Sequence, residues 1–165
     1  MKPILIYHVA DLDGISSGAI MKAKYPDGEL LGYDYGWPLT LPRIDVPVIM
    51  ADVSLPMDKM RDLAITADGL TWIDHHTSAI KDYEKNFVRG REVTPVITPV
   101  LEVGTAACEL TWRHLFPGPV PHAIRLLGRS AAWDHAAKAE GANRIMPFQY
   151  GMREICNGVD TFSTG

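Results

Sequence analysis

The stretch Pro3-Ile4-Leu5-Ile6-Tyr7-His8-Val9-Ala10-Asp11-Leu12-Asp13-Gly14-Ile15-Ser16-Ser17-Gly18-Ala19-Ile20-Met21-Lys22-Ala23 changes its period part-way along. Residues 3–9 are a short apolar run of the β type and residues 10–14 are polar. From residue 15 to 25 the apolar Ile15, Ala19, Ile20 and Ala23 recur at helical spacing. Strand, loop and helix in that order open a βα unit, and the rest of the chain repeats the theme. Pro26-Asp27-Gly28 reads as a turn, residues 29–35 as a second strand, and residues 36–47 as a proline-rich connection. Val48-Ile49-Met50-Ala51 is apolar at every position, as a strand covered on both faces must be. Pro56 suits the first position of a helix running to about residue 67, and Asp68-Gly69 turns the chain into the strand Leu70-Thr71-Trp72-Ile73. In the mixed segment up to residue 101, Pro95 and Pro99 restrict any strand to an edge or a short piece. Helical patterns follow at residues 105–116, 122–139 and 143–156. The alternation predicts an α/β fold: a mostly parallel sheet sandwiched between helices, as a single Rossmann-like domain over residues 1–165.

The bulk properties agree with one folded domain: 165 residues, 47% hydrophobic and 22% charged. A net charge of −4 and a pI near 5.8 argue against broad electrostatic binding of duplex nucleic acid. Cys108 and Cys156 match no metal-ligand spacing and are too few for a disulfide framework, which favours a reducing compartment. No stretch approaches the roughly 18 consecutive apolar residues that span a membrane, and residues 4–7 are too short for a signal-peptide core. The expectation is a cytoplasmic protein without a membrane partner.

Chemistry gathers where the apolar strands stop. His8, Asp11 and Asp13 follow the first strand, Asp52 the third, and Asp74-His75-His76 the fourth. A parallel sheet brings such ends to one rim, where α/β folds bind their ligands. Taken singly, an aspartate after a strand is ordinarily a helix cap, Asp-Gly a turn, and His-His a surface pair. Their coincidence on successive strands points elsewhere. Two like charges 4 Å apart repel by about 1 kcal/mol in water and about 4 kcal/mol in partly buried surroundings, so the cluster requires a cation. Oxygen donors mixed with imidazole suit Mn²⁺ or Mg²⁺ better than the thiolate sites of structural zinc. So many donors fit two ions, an arrangement that activates water and clamps phosphoryl oxygens.

Four ordered motifs then resemble the DHH phosphoesterase superfamily: Tyr7-His8-Val9-Ala10-Asp11-Leu12-Asp13-Gly14, Ala51-Asp52-Val53-Ser54, Asp74-His75-His76 and Trp133-Asp134-His135. Gly104-Thr105-Ala106-Ala107 looks like the small-residue helix start that precedes the fourth motif in these proteins, and the resemblance covers about residues 3–140. The superfamily includes single-strand exonucleases, oligoribonucleases, cyclic-dinucleotide phosphodiesterases and family II pyrophosphatases with related exopolyphosphatases. Carried over by position, the resemblance implies that His8 and Asp11 bind one metal, that Asp13, His75 and Asp134 bind the other, and that Asp52 bridges both. It implies further that His76 faces the scissile phosphate as an electrophilic or acid group and that Asp74 orients the neighbouring imidazole. The implied cofactors are two Mn²⁺, with Mg²⁺ or Co²⁺ as substitutes, and the implied nucleophile is a hydroxide activated by both ions.

Ser16 and Ser17, early in the first helix, are candidates to offer hydroxyl and backbone donors to a phosphate, against an ordinary capping role. Arg129, Lys138, Arg144 and Arg153 are the basic candidates for holding it, and Trp37, Trp72, Trp112 and Trp133 could stack bases, although tryptophans in apolar runs ordinarily fill core. The sequence departs from the superfamily in two places. Only Val9-Ala10 separate His8 from Asp11, where many members have three residues, and the short remainder after Asp134 holds no second, substrate-gripping domain. The expectation is a minimal single-domain form, a fragment, or a site closed by a partner chain or a second copy in a homodimer. Gly14-Ile15-Ser16-Ser17-Gly18 also satisfies the G-x-S-x-G of a serine-hydrolase elbow, but Asp11-Leu12-Asp13 separates it from its strand and the acidic cluster would go unexplained. The remaining rivals are a phosphate- or nucleotide-binding module with little turnover and a pyrophosphatase-like or exopolyphosphatase-like activity. The ligand set favours hydrolysis of short single-stranded oligonucleotides, cyclic dinucleotides or other small phosphorylated substrates.

Overall fold

Five runs of residues form the sheet of the computed structural model, which describes residues 2–39, 45–88, 97–131 and 145–155. They are β1 (Ile4–His8), β2 (Glu29–Tyr33), β3 (Val48–Ala51), β4 (Leu70–Asp74) and β5 (Ile97–Leu101), paired in the order β2-β1-β3-β4-β5. Every pair is parallel, with Ile4 level with both Glu29 and Val48, and Ala51 level with Ile73. The expected α/β sandwich is thus present. Pro99 lies in β5, at the sheet's edge, where its missing N–H breaks no ladder on the open side.

Strands buried on both faces send alternate residues into two cores. Ile4, Ile6, Val48, Met50, Leu70 and Trp72 join Met60 and Leu63 of α2 (Met57–Thr66) and Ala79 and Tyr83 of α3 (Thr77–Tyr83). Leu5, Ile49, Ala51 and Ile73 belong to the other core, with Leu12, Ile20 and Met21 of α1 (Leu12–Lys24), Cys108 and Leu110 of α4 (Ala107–Leu115), and Leu127 of α5 (His122–Ala131). Phe148 and Met152 of α6 (Ile145–Ile155) pack against that second core. Right-handed crossovers account for the division. The step from β1 to β2 and the step from β3 to β4 run in opposite directions across the sheet, so α1 and α2 fall on opposite faces. Between them, at the junction of β1 and β3, the chain segments leaving the two strands part and open a crevice at the carboxyl ends.

Several element bounds differ from the sequence reading; the helix expected over 105–116, for one, spans Ala107–Leu115. Helix α1 begins at Leu12 rather than Ile15, because Asp11 caps it. Strand β2 ends at Tyr33 rather than Tyr35, because the Trp37 N–H donates to the Asp34 carbonyl and closes a turn. Between β4 and β5 lie α3 and a π-helical turn, Glu84–Val88, where no element was expected; α3 has no side-chain cap and is too short to show a period. Cys108 is a buried free thiol, as expected of a core cysteine, while Cys156 lies outside the described residues.

Candidate metal centre

The centre is assembled from the ends of β1, β3 and β4. His8 closes β1, and Asp11 caps α1 by accepting the Gly14 N–H at 2.9 Å. Gly14 makes no loop: a Cβ there would collide with the carbonyl and Cβ of His8, so the bare backbone is what lets α1 lie against the end of β1. Asp13, in the first turn of α1, reaches the start of α4, where its two oxygens accept the N–H groups of Ala107 at 3.0 Å and Cys108 at 2.7 Å. Ala106, at the cap position of α4, has no side-chain acceptor, so Asp13 caps that helix from 94 residues away. Ala106 and Ala107 are themselves wholly buried, which gives the small-residue run a packing reason.

Asp52 is placed differently. Its N–H continues the ladder to the Ile73 carbonyl at 2.9 Å, and then the backbone turns left-handed, with φ 61°, the only such non-glycine among the described residues. That conformation costs on the order of 1–3 kcal/mol and persists only where its surroundings hold it. The carboxyl is 0% exposed and neither oxygen has a hydrogen-bond partner. Its Oδ2 lies 3.7 Å from His8 Nδ1, and its Oδ1 lies 3.4 Å from His75 Nε2.

The imidazoles are oriented from behind by carboxylates, which can only accept. Asp74 Oδ1 takes the N–H of His75 at 2.7 Å, the N–H of His76 at 3.0 Å and the Nδ1–H of His76 at 2.7 Å. The Nε2 of His76 is thereby left free on a ring that is 41% exposed. His8 Nε2 donates to Asp34 Oδ1 at 3.2 Å, which leaves Nδ1 3.3 Å from Asp11 Oδ2 and without a hydrogen-bond partner. His75 Nε2 stands 3.4 Å from both Asp13 Oδ2 and Asp52 Oδ1.

Among the described residues, two groups of donors able to hold a metal ion result: His8, Asp11 and Asp52, and Asp52, His75 and His76, each with its donor atoms within 4.8 Å of one another. Asp52 belongs to both. A buried carboxyl with no donor costs several kcal/mol, and the atoms left without partners at the centre are His8 Nδ1, both oxygens of Asp52 and Asp74 Oδ2; the first three form a mixed nitrogen and oxygen set that suits a divalent cation.

The proton affinities follow from these contacts. The adjacent carboxyls of Asp11, first, and of Asp52 outweigh burial and raise His8 to about 10. Burial pushes the Asp11 carboxyl up, but the His8 ring and the Gly14 N–H outweigh it and hold it at about 2. Burial, reinforced by the charge of Asp52, raises Asp13 despite its bonds to α4. His75 is raised by Asp52 and Asp13 against the opposing effect of burial, and His76 is raised chiefly by Asp74.

Among the expected site residues, His8, Asp11, Asp13, Asp52, Asp74, His75 and His76 come together. Asp134 lies outside the described residues, as do Trp133, Lys138 and Arg144. Asp13 touches His75, yet both of its oxygens already serve α4. Ser16 and Ser17 are buried, and their hydroxyls donate to the Leu12 and Asp13 carbonyls of their own helix. Neither hydroxyl hydrogen is therefore available to a phosphate. Arg129, on α5, is close enough to favour the charged form of Glu109. Asp34 escaped the sequence reading because it was counted inside a strand, among tyrosines and glycines. The signal that could have found it is its place one strand over from His8: Tyr33 pairs with His8.

No family model and no curated protein matches the chain. Among solved structures it is similar to the crystal structure of an uncharacterized protein from Helicobacter pylori G27, with a TM-score of 0.56 and 14% identity. The likeness covers 82% of this chain and 45% of that one, so the chain spans less than half the length of that protein. At this identity the likeness is one of fold. No helix among the described residues is long and apolar enough to cross a membrane.

Proposed function

We propose that the chain hydrolyses P–O bonds of small phosphorylated substrates, short single-stranded oligonucleotides or cyclic dinucleotides in the first place, with two Mn²⁺ ions as cofactors. The observation that carries this reading is Asp52: a fully buried carboxyl with both oxygens unpartnered, shared by two donor groups at the crevice between β1 and β3. His8 and Asp11 would hold one ion, His75 the other, and Asp52 both. Divalent ions bound there would lower the pKa of a water and neutralise phosphoryl oxygens. The residues supply the rest. Asp74 fixes the His76 ring through Nδ1 and raises its proton affinity, so Nε2–H is available to the leaving oxygen. As water adds to phosphorus and the old P–O bond breaks, that oxygen takes the Nε2 proton.

The test is release of mononucleotide or phosphate by the full chain from a panel of dinucleotides, cyclic dinucleotides, pyrophosphate and bis(p-nitrophenyl) phosphate, with Mn²⁺ and with EDTA. Chelator-sensitive hydrolysis of a phosphodiester is expected. Manganese bound with no turnover on any substrate would leave a phosphate- or nucleotide-binding module instead, and turnover of pyrophosphate alone would leave the pyrophosphatase reading. His76→Ala should keep its metal and lose about 10²- to 10⁴-fold in rate.

A further inference from the structure

Three of the four tryptophans lie among the described residues, and two of them are committed to packing. Trp72 is fully buried with its Nε1–H donated to the Val53 carbonyl at 3.0 Å, and Trp112 stacks on Phe116. Trp37 is 53% exposed, and two residues before it Tyr35 is 51% exposed. Both stand in the turn that follows β2, closed by the Trp37 N–H to the Asp34 carbonyl at 3.1 Å and made possible by Gly36 at φ 85°. This is the turn whose Asp34 carboxylate holds His8. The Tyr35 ring sits edge-on to the His8 ring, 5.5 Å between centroids, with Tyr33 edge-on to it at 6.5 Å. Its hydroxyl accepts the Ser54 N–H across the crevice at 3.4 Å, and the charges of Asp74 and Asp52 reach it. An exposed aromatic ring is thus held directly beside a candidate metal-ligand histidine.

We propose that the Tyr35-Gly36-Trp37 turn is a base-stacking platform, so that the substrate of the neighbouring centre carries a nucleobase and inorganic pyrophosphate or polyphosphate is disfavoured. The inference rests on the phosphohydrolase reading and names its substrate class. Aromatic faces accept any base, so the platform recognises nucleotides without reading sequence. The energetics are those of stacking rather than hydrogen bonding.

The experiment is calorimetric titration of the Mn²⁺-loaded full chain with AMP, ribose 5-phosphate and inorganic phosphate, followed by tryptophan fluorescence. AMP should bind about 5- to 100-fold more tightly than ribose 5-phosphate and should quench fluorescence that Trp37→Ala lacks. Tyr35→Ala should reduce the ratio of the two affinities toward one, and Tyr35→Phe, which keeps the ring and loses the hydroxyl, should restore it. Equal affinities for AMP and ribose 5-phosphate, or a ratio indifferent to Tyr35→Ala and Trp37→Ala, would overturn the platform and leave the metal centre untouched. Absence of manganese-dependent binding for all three ligands would overturn both readings together.

Discussion

Asp13 and Asp52 are both buried aspartates at the same crevice, and the protein treats them in opposite ways. Asp13 sits at the start of a helix and gives both oxygens to the amides of a second helix. Asp52 sits after a strand, in a strained backbone, and its oxygens receive no hydrogen bond, only the imidazoles of His75 at 3.4 Å and His8 at 3.7 Å. The first is built as a structural cap that also touches the centre. The second is built to be completed from outside. A buried polar group is normally satisfied by its own fold, so the exception marks where the fold expects a ligand.

The largest effect that would break this contrast is at Asp52. Asp52→Ala should abolish Mn²⁺ binding, measured by elemental analysis of the purified chain, and lower turnover roughly a thousandfold or more, since both donor groups lose their shared member. Retention of two ions at full rate would show that Asp52 bridges nothing. Asp13→Ala should act on stability instead. It leaves two buried amides of α4 without an acceptor, at about 1–3 kcal/mol each, so urea denaturation should show the loss equally in EDTA and in Mn²⁺. A loss seen only with metal would recast Asp13 as a ligand first and a cap second.

Asp34 is an intermediate case, a carboxylate committed to one imidazole. Removing it as Asp34→Ala frees the His8 ring to turn and should weaken metal affinity about 10- to 100-fold, with the fold intact. Nitrogen-15 spectra of His8 should show Nε2 protonated in the metal-loaded parent protein and a tautomer mixture in the metal-free variant. An Nδ1-protonated ring in the loaded parent would refute the orientation.

A further effect is in pH dependence. In EDTA, His8 at about 10 lies above its unfolded value of 6.5, so its contribution to stability is complete below pH 6.5 and disappears as the pH rises through 10. Asp11, at about 2 against 3.8, contributes above pH 3.8 and loses that contribution as the pH falls through 2. Melting temperatures in EDTA should therefore decline from pH 6.5 toward 10, and saturating Mn²⁺ should flatten the alkaline decline because a ligating imidazole is already neutral. Identical profiles with and without metal would separate His8 from the ion.

How legible was all this? The strand ends announced themselves: three apolar runs each stopping at acids or imidazoles are enough to predict a rim rich in donors, and His8, Asp11, Asp52, His75 and His76 are all found in the donor groups there. Asp34 was not legible, because residues 29–35 read as one strand and its importance comes only from standing beside the end of β1. Ser16 and Ser17 misled for a related reason. Their place near a helix start suggested donors aimed at a phosphate, but a helix interior gives a serine hydroxyl its own carbonyl four residues back. Trp37 could not be told from Trp72 by composition, since exposure is a property of the packed chain.

The amino-acid order alone settled the alternation of strand and helix, because periods of two and 3.6 are local, and it settled which chemical groups would stand at the strand ends. Tertiary structure decided which of those groups are satisfied and which are left waiting. That outcome depends on the strand order β2-β1-β3-β4-β5, which sets Asp34 behind His8, Asp13 under α4 and Asp52 between two histidines. Contacts between residues dozens of positions apart are fixed by packing and carry no local signature.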